Sequence, residues 1–256
     1  YLTAHQHGFY KSVNGGVNFS AINTGVSDLS ARSFAIDIAN AGLVFGGVWH
    51  GDGVYRTWNG GDVWARRSTG LPYDVEVFRV YLDPFGWQQK RLFSCTYGDG
   101  LYSTDDFGAS WVPRGLGGQR LYDFVIADGN PQRWYAATEN NGIFRSSSYG
   151  SNWKSIMAEM RLTDITGLTE LPGDPQALAG AVYGQGVFRV TDSGETWESM
   201  SEGLSSLDVF ALATAGEQLF AIGRGWMDSW NGESWQTVEL PKTNTAFQDA
   251  GVDWLK

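Results

Sequence analysis

The sequence predicts an all-β fold in which one unit of four short strands is repeated six times, and three observations predict it. Similar segments recur along the chain, each opening on a glycine, at Gly8, Gly53, Gly100, Gly142, Gly186 and Gly225. These glycines lie 45, 47, 42, 44 and 39 residues apart, a spacing typical of repeat architectures with one supersecondary unit per period. Each period offers four short β-prone runs, and no stretch has a convincing helical pattern. Together these features predict a six-bladed β-propeller of four-stranded antiparallel blades.

The recurring segment is interpreted as a hairpin, and its clearest copy is GDGLYSTDDFGASW at residues 98–111. A glycine turn leads into β-prone residues, then a tight polar turn leads to an aromatic residue that opens the next strand. In that turn Asp106 is expected to accept bonds from its own backbone and Gly108 to adopt a positive φ. The closing aromatics are Phe19, Trp64, Trp111, Trp153 and Trp197, with Trp235 one residue early in the sixth copy.

These turns carry a resemblance to a known family. The third copy fits the pattern Ser/Thr-x-Asp-x-Gly-x-Ser/Thr-Trp at every defined position, with Thr104, Asp106, Gly108, Ser110 and Trp111. The fifth copy fits it apart from Val190 in the first slot, with Asp192, Gly194, Thr196 and Trp197. The chain therefore resembles the Asp-box, or bacterial neuraminidase repeat, superfamily of β-propellers, which includes sialidases, xyloglucanases, sortilin-type receptors and the photosystem II assembly propeller.

The resemblance is specific for fold rather than activity, and it implies that the box residues are structural. They lie in the turns between strands three and four, called box turns below. The box residues are Asn14, Gly16, Phe19, Asn59, Gly61, Trp64, Asp106, Gly108, Trp111, Ser148, Gly150, Trp153, Asp192, Gly194, Trp197, Gly232 and Trp235.

Composition limits the function classes. The 256 residues carry a formal net charge of -10 with a pI near 4.7, which would repel phosphate backbones and disfavours nucleic acid as a partner. No run of eighteen apolar residues is present, so no transmembrane segment is predicted. One cysteine, Cys95, allows no internal disulfide, and its apolar neighbours predict a buried strand position.

The two ends predict how the first blade is completed. Residues 1–6 leave room for only one strand before the first recurring segment opens at Gly8, while residues 246–255 supply one surplus strand. We therefore expect one domain over residues 1–256 in which blade one is built from residues 244–256 and 1–22, so that pairing of the termini hides two open edges. Seven blades are the alternative if a segment is missing.

The chain starts at Tyr1 rather than methionine, which indicates either a mature form after signal removal or a trimmed chain. Export to an extracellular or periplasmic compartment is the expectation that this start and the family resemblance favour together.

A recognition surface is predicted at the turns between strands two and three, called variable turns below. They span 4–8, 49–53, 96–100, 138–142, 182–186 and 222–225, and their glycines recur while the other side chains differ. Variation on a repeated scaffold is what a binding surface would show. The candidate binding residues are His5, His7, Trp49, His50, Asp52, Tyr97, Asp99, Glu139, Asn141, Tyr183, Gln185, Arg224 and Trp226.

Two kinds of variable-turn residue have competing interpretations. All three histidines, His5, His7 and His50, fall in the first two variable turns, where exposed turn residues are favoured over a transition-metal site. The rings of Trp49 and Trp226, with Tyr97 and Tyr183, are candidates to stack on sugars or anchor a protein, against the alternative of packing between blades. No metal and no cofactor are predicted.

An enzymatic activity is disfavoured. The Phe/Tyr-Arg-Ile-Pro motif of sialidases is absent, and the nearest strings are 78–80 and 188–190. The xyloglucanases of the superfamily that this chain resembles use two catalytic aspartates in a cleft between two propellers. One ring of this length cannot build such a cleft. Asp123, Asp164 and Asp208 each begin a predicted first strand and stay open as paired carboxylates, although acids of a solvated surface are the favoured interpretation.

The function expected from the sequence is a non-catalytic exported propeller that acts as a protein-recognition or scaffolding subunit of a larger assembly. A carbohydrate-binding or sialidase-like glycoside hydrolase propeller is the alternative. A second alternative is an assembly factor resembling the photosystem II assembly propeller, which the acidic composition disfavours. The partner is expected to be a protein, with a glycan as the alternative.

Overall fold

The computed structural model describes residues 1–37, 39–83, 91–127, 130–156, 164–191 and 196–239. Twenty-three strands form six antiparallel sheets in chain order, and the described residues contain no helix. The prediction of an all-β, six-bladed propeller is confirmed. The chain divides into two compact units, one with blades one to three and the other with blades four to six. None of the described residues belongs to a helix long and apolar enough to cross a membrane.

In each sheet of the first unit, the strands are antiparallel and lie side by side in sequence order. Blade one is β1 Leu2–Ala4, β2 Gly8–Lys11 and β3 Ser20–Ala21; blade two is β4 Ala31–Ile36, β5 Val44–Val48, β6 Val54–Thr57 and β7 Ala65–Arg66; blade three is β8 Val77–Leu82, β9 Leu92–Thr96, β10 Leu101–Thr104 and β11 Val112–Pro113.

The second unit repeats this order. Blade four is β12 Leu121–Ile126, β13 Trp134–Thr138, β14 Ile143–Ser146 and β15 Lys154–Ser155; blade five is β16 Ile165–Leu171, β17 Asp174–Val182, β18 Gly186–Thr191 and β19 Thr196–Ser199; blade six is β20 Val209–Ala215, β21 Gln218–Gly223, β22 Trp226–Trp230 and β23 Trp235–Thr237.

The second strands form the most deeply buried part of the sheets. Every residue of β5, β9 and β13 is buried, including Cys95 as predicted. Glycine lets neighbouring blades approach β5 closely, because a Cβ on Gly46 would overlap the ring of Phe9 from blade one. These strands read as continuous apolar or small-residue runs because both of their faces are covered.

The fourth strands are shorter than the sequence indicates. The β-prone runs at 63–67 and 110–114 predict fourth strands of five residues, but only two residues of each run pair with the third strand. The backbone N–H of Trp64 instead donates to the carbonyl of Thr24 at 2.9 Å, and that of Trp111 donates to Thr69 at 2.9 Å. Because these tryptophans are bonded to the preceding blade, the fourth strand begins only after them.

The box turns have one hydrogen-bonding pattern, clearest in blade three. The Thr104 hydroxyl donates to Asp106 Oδ1 at 2.6 Å and accepts the N–H of Gly108 at 3.1 Å. Asp106 Oδ1 also accepts the N–H of Ser110 at 2.9 Å. Gly108 has a φ of 80°, a conformation that side chains resist. Thr57 and Asn59 repeat the pattern in blade two, so the sequence correctly identified the turn chemistry.

Three box tryptophans are hydrogen-bonded to the blade before their own. The indole N–H of Trp64 donates to the carbonyl of Ile22 at 2.6 Å, and that of Trp111 donates to Arg67 at 2.8 Å. In the second unit Trp235 donates to Met200 at 2.5 Å. In these three blades the bond fixes the ring against the preceding blade while its apolar surface is buried. The Nε1 of Trp197 in blade five is buried without an acceptor among the described residues.

Two predictions lie outside the described residues. They are the closing strand of blade one at 246–255 and the box residues Asp192 and Gly194. The prediction that both termini complete blade one stays a prediction, and so does that of a single domain.

Candidate functional site

A β-bulge lies at the same place in the first strand of all five four-stranded sheets. The pairing with the second strand slips by one residue after the first pair of each sheet. The residues left out of register are Arg32, Phe78, Tyr122, Thr166 and Phe210. A bulge re-aims a side chain, and bulges are over-represented near functional sites. Because this end of each first strand adjoins a variable turn, the bulge residues and the variable turns form one surface within each unit.

In the first unit this surface contains an aromatic–arginine cluster, made of Arg32, Trp49, Phe78, Tyr97 and Arg120. The Trp49 ring centroid lies 4.7 Å from that of Tyr97 and 5.8 Å from that of Phe78. The Arg32 guanidinium lies 4.7 Å from the Trp49 centroid, and the Arg120 guanidinium lies 4.4 Å from that of Tyr97. Both distances are within cation–π range. Arg120 is exposed and the other four are half-buried, so the cluster presents rings and cations at the surface.

A polar network lies in the variable turn of blade two. Asp52 Oδ2 accepts the Ser27 hydroxyl at 2.5 Å and the Tyr55 hydroxyl at 2.8 Å, and Arg66 Nη1 lies 3.7 Å from Asp52 Oδ1. Burial acts to raise the pKa of Asp52, but these hydrogen bonds and the Arg66 charge outweigh it and lower that pKa below 3.8. Burial raises the pKa of Tyr55, which keeps its hydroxyl protonated as a donor. The network fixes the turn and holds Asp52 as a carboxylate.

Replacing Asp52 by asparagine is expected to lower the free energy of unfolding at neutral pH by about 1 to 2 kcal/mol, because two donors lose a charged acceptor. A carboxyl whose pKa is depressed by folding stabilises the protein above its unfolded pKa, and this contribution is lost as pH falls through the folded pKa. The difference between wild type and variant should therefore shrink below about pH 4. Urea unfolding over a pH series measures it.

The control for this experiment is Asp99→Asn, which removes an exposed carboxylate from the variable turn of blade three. It should change the free energy of unfolding by less than about 0.5 kcal/mol. An Asp52→Asn difference that stays constant down to acid pH would contradict the assignment.

The histidines lie near one another without forming a ligand cluster. The rings of His5 and His50 are 6.1 Å apart, and His50 Nδ1 lies 2.7 Å from the Ser30 hydroxyl. The backbone N–H of His50 donates to Asp28 at 2.9 Å, while His7 is exposed. In the part of the chain that the structure describes, no group of three or more His, Cys, Asp or Glu could hold a metal ion.

The second unit presents a different set of side chains at its variable turns. The Tyr122 hydroxyl donates to Glu139 Oε1 at 2.7 Å, and the Tyr183 ring lies 5.5 Å from that of Phe210. Trp226 is half-buried, and its ring packs against Gly223 of β21 and against the core cluster shared by blades five and six. The exposed predicted residues of this unit are Asn141, Tyr183, Gln185 and Arg224.

The three aspartates considered for catalysis have different surroundings. Asp123 is fully buried, and its carboxylate accepts the N–H groups of Phe124 at 2.7 Å and Leu168 at 2.9 Å. Asp164 is half-buried and pairs with Glu139 through a backbone bridge, whereas Asp208 is exposed before β20. Asp123 thus joins the first strands of blades four and five instead of facing a ligand.

The sequence identified the variable turns that carry aromatic residues, but Arg32, Phe78 and Arg120 were not predicted as site residues. A signal was available for the first two, because both hold the second position of the first strand in their repeats. Aligning the repeats on the first strand, rather than on the box glycine, would have placed these side chains beside the variable turns.

Comparisons with known proteins identify the fold. No family model and no curated protein sequence match this chain. An ancestral GH74 enzyme superposes with a TM-score of 0.74 at 15% identity over 94% of this chain and 37% of that one. The GH74 xyloglucanase from Xanthomonas campestris gives 0.68 at 18% identity over 92% and 43%, and YCF48 bound to D1 peptide gives 0.55 at 19% over 81% and 66%. The chain therefore spans less than half of either GH74 chain, and likeness at these identities establishes the β-propeller fold alone.

Proposed function

We propose that this protein is a non-catalytic propeller that recognises a protein partner through the aromatic–arginine cluster. The observation that carries the proposal is the packing of Trp49 and Tyr97 between two guanidinium groups at the bulged end of the first unit. Tryptophan, tyrosine and arginine are the residues most enriched in the hot spots of protein interfaces. Their half-buried setting holds the rings in place before a partner arrives, which lowers the cost of binding.

A glycan is the weaker alternative for this surface. Stacking on a sugar needs an open ring face, but the Arg32 guanidinium lies over Trp49 and the Arg120 guanidinium lies over Tyr97. The xyloglucanase likeness gives no support at 18% identity. Arginine-covered rings suit a partner that supplies carboxylates or backbone carbonyls to the guanidinium donors.

The non-catalytic part of the proposal is supported by the surroundings of the carboxylates. Asp123 is engaged by two backbone N–H groups in the interior, and Asp52 is engaged by Ser27, Tyr55 and Arg66. Both carboxylates accept hydrogen bonds from within the fold, which suits a structural role better than proton transfer.

Two further parts of the proposal are membership of the Asp-box superfamily and export. The hydroxyl–carboxylate–glycine pattern of the box turn at Thr104, Asp106 and Gly108 supports the first. For the second, similar structures include the extracellular domain of a hybrid two component system from B. thetaiotaomicron, with a TM-score of 0.66 at 13% identity over 85% of this chain and 31% of that one.

The proposed function is tested by measuring the native mass of the untagged protein isolated from its source. The proteins that co-purify with it, called companions below, are identified in the same preparation. We expect a mass several times 28.1 kDa with constant companions, which Trp49→Ala releases. Because interface hot spots are worth about 2 kcal/mol or more, the affinity for the isolated companion should fall at least about thirtyfold.

The matched control is Tyr149→Ala, which removes a partly exposed aromatic side chain from the box turn of blade four, outside the aromatic–arginine cluster. It should keep the companions. A wild-type protein that is monomeric throughout, or companions that survive Trp49→Ala, would contradict the proposal, and a glycan panel would then test the alternative.

A further inference from the structure

A second candidate site lies at the box-turn end of blade two. A groove of about 230 Å³ opens there, called the arginine groove below. It is lined by Arg56, Trp58, Asn59, Val63, Trp64, Ala65 and Arg67. Turns between strands three and four lie at the opposite end of an antiparallel sheet from turns between strands two and three. The arginine groove is thus separate from the aromatic–arginine cluster, and no part of the proposed function uses it.

The groove contains two arginines with unused hydrogen-bonding capacity. Arg56 is only 8% exposed, and its Nη1 donates to the carbonyl of Phe107 at 2.8 Å. A guanidinium has five N–H donors, yet Arg56 Nε is buried without an acceptor among the described residues. Arg67 Nε is buried in the same way. Donors removed from water without an acceptor destabilise the protein, so an incoming acceptor would gain their full interaction.

No described carboxylate satisfies these arginines. Asp106 is the acidic group near Arg56, but its oxygens already accept the hydroxyls of Thr104 and Ser110 and the N–H of Ser110. Burial and the nearby Arg67 charge lower the pKa of Arg56, against the opposing effect of Asp106. Two close guanidinium charges in a partly dry groove favour an anion.

Blade five has an acidic residue within reach of the arginine at the equivalent position of its repeat. Arg189 holds the position of Arg56 in its repeat. Its Nη2 donates to a carboxylate oxygen of Asp174 at 2.6 Å, although its Nε, like that of Arg56, is buried without an acceptor among the described residues. Arginine at this slot can therefore reach a carboxylate beside its own blade. In blade two the described residues provide no such acid, which leaves the equivalent place to a ligand.

The remaining walls of the groove are apolar and exposed. Trp58 is 50% exposed and Val63 is 54% exposed, although both are large hydrophobic side chains. The Trp58 ring is held in place, since the Arg56 guanidinium lies 4.5 Å from its centroid and the Phe107 ring packs edge-on at 5.4 Å. An anion alone would leave this apolar surface in water, so the occupant needs an apolar part as well.

We propose that the arginine groove binds a carboxylate carried by a small apolar group, with the carboxylate on Arg56 and Arg67 and the apolar group on Trp58 and Val63. Its volume lies below the roughly 300 Å³ at which drug-sized sites begin, which restricts the occupant to about the size of one amino acid. Both a peptide chain end and a free aromatic acid have this chemistry.

The proposal is tested by titrating the full chain with three compounds: N-acetyl-phenylalanine, 3-phenylpropionate and N-acetyl-phenylalaninamide. Binding is measured by calorimetry and by the shift of the NMR signal of the Trp58 indole N–H. At least one of the acids should bind with a Kd near about 1 mM and move this signal, while the amide should bind at least about tenfold more weakly. Binding of N-acetyl-phenylalanine alone would identify a peptide chain end as the source. Binding of the free acid would extend the site to small metabolites.

Arg67→Gln should weaken binding of the acid at least about tenfold, because it removes one of the two cations. Arg66→Gln is the matched control: it removes the same charge one residue away, from a side chain that contacts Asp52 instead of the groove, and it should leave Kd unchanged. If Arg67→Gln unfolds, Trp58→Ala at its half-exposed site provides the second test. Absence of saturable binding by both acids, equal binding of the amide, or equal losses in the Arg66 and Arg67 variants would overturn the proposal.

Discussion

Replacing Asp123 by alanine is expected to lower the free energy of unfolding by about 3 to 5 kcal/mol. The carboxylate is 0% exposed, and it accepts one N–H from Phe124 on its own strand and one from Leu168 on the first strand of blade five. Alanine would leave both N–H groups without this acceptor in the interior, where each costs about 1 to 3 kcal/mol. Urea unfolding followed by tryptophan fluorescence measures the loss.

Two variants separate this explanation from a general intolerance of change. Asp123→Asn keeps one acceptor oxygen and should lose less than Asp123→Ala. Ser33→Ala removes the equivalent connection in the first unit, where the Ser33 hydroxyl accepts the N–H of Val80 at 2.9 Å, and it should cost about 1 kcal/mol. An Asp123→Ala protein as stable as wild type would show that the carboxylate does not join the two strands.

The burial of Asp123 could not be predicted from the sequence. From the sequence, Asp123 at the start of a predicted first strand is interpreted as a solvated acid or as one of a pair of catalytic carboxylates, whereas the structure makes it a buried acceptor. The bulge between Leu121 and Asp123 decides the matter, because it shifts the register by one residue. A shift of one residue sends each following side chain to the other face of the sheet. A bulge of this kind depends on contacts between blades and has no local sequence signal.

The fold itself was predictable, because each repeat carries its own turn chemistry. A hydroxyl, an acceptor and a glycine at fixed offsets, as in Thr104, Asp106 and Gly108, specify the turn whatever the rest of the chain does. The period then gives the number of blades. The lengths of the fourth strands were not predictable, since they depend on backbone bonds from Trp64 and Trp111 to the blade before.

The candidate site was predicted in part. Trp49 and Tyr97 were identified because aromatic rings beside the variable turns can stack on sugars or anchor a protein, and the structure brings these two together. Arg32 and Arg120 come from other segments of the chain, and their position over the rings is a tertiary contact. A single sequence shows which residues occupy a turn, but the partners that cover them depend on how the sheets pack.

Replacing Trp111 by alanine is expected to lower the free energy of unfolding by about 4 kcal/mol, the second large effect. The side chain is 3% exposed and belongs to the core cluster shared by blades two and three. Its indole N–H also donates to the carbonyl of Arg67, at the outer edge of blade two. Alanine would leave a cavity and remove the bond between the blades at once. Chemical unfolding measures the change.

Two further replacements divide this loss into its parts. Trp111→Phe keeps a buried ring without the N–H donor, so it should lose about 1 to 2 kcal/mol and measure mainly the bond to Arg67. Trp58→Ala, at a tryptophan that is 50% exposed in blade two, should change stability by less than about 1 kcal/mol. Equal losses at Trp111 and Trp58 would mean that burial of the box ring does not hold adjacent blades together. A large loss confined to Trp111 would show that the repeat keeps tryptophan at this slot for the contact with the preceding blade, and that exposed rings such as Trp58 are retained for another reason.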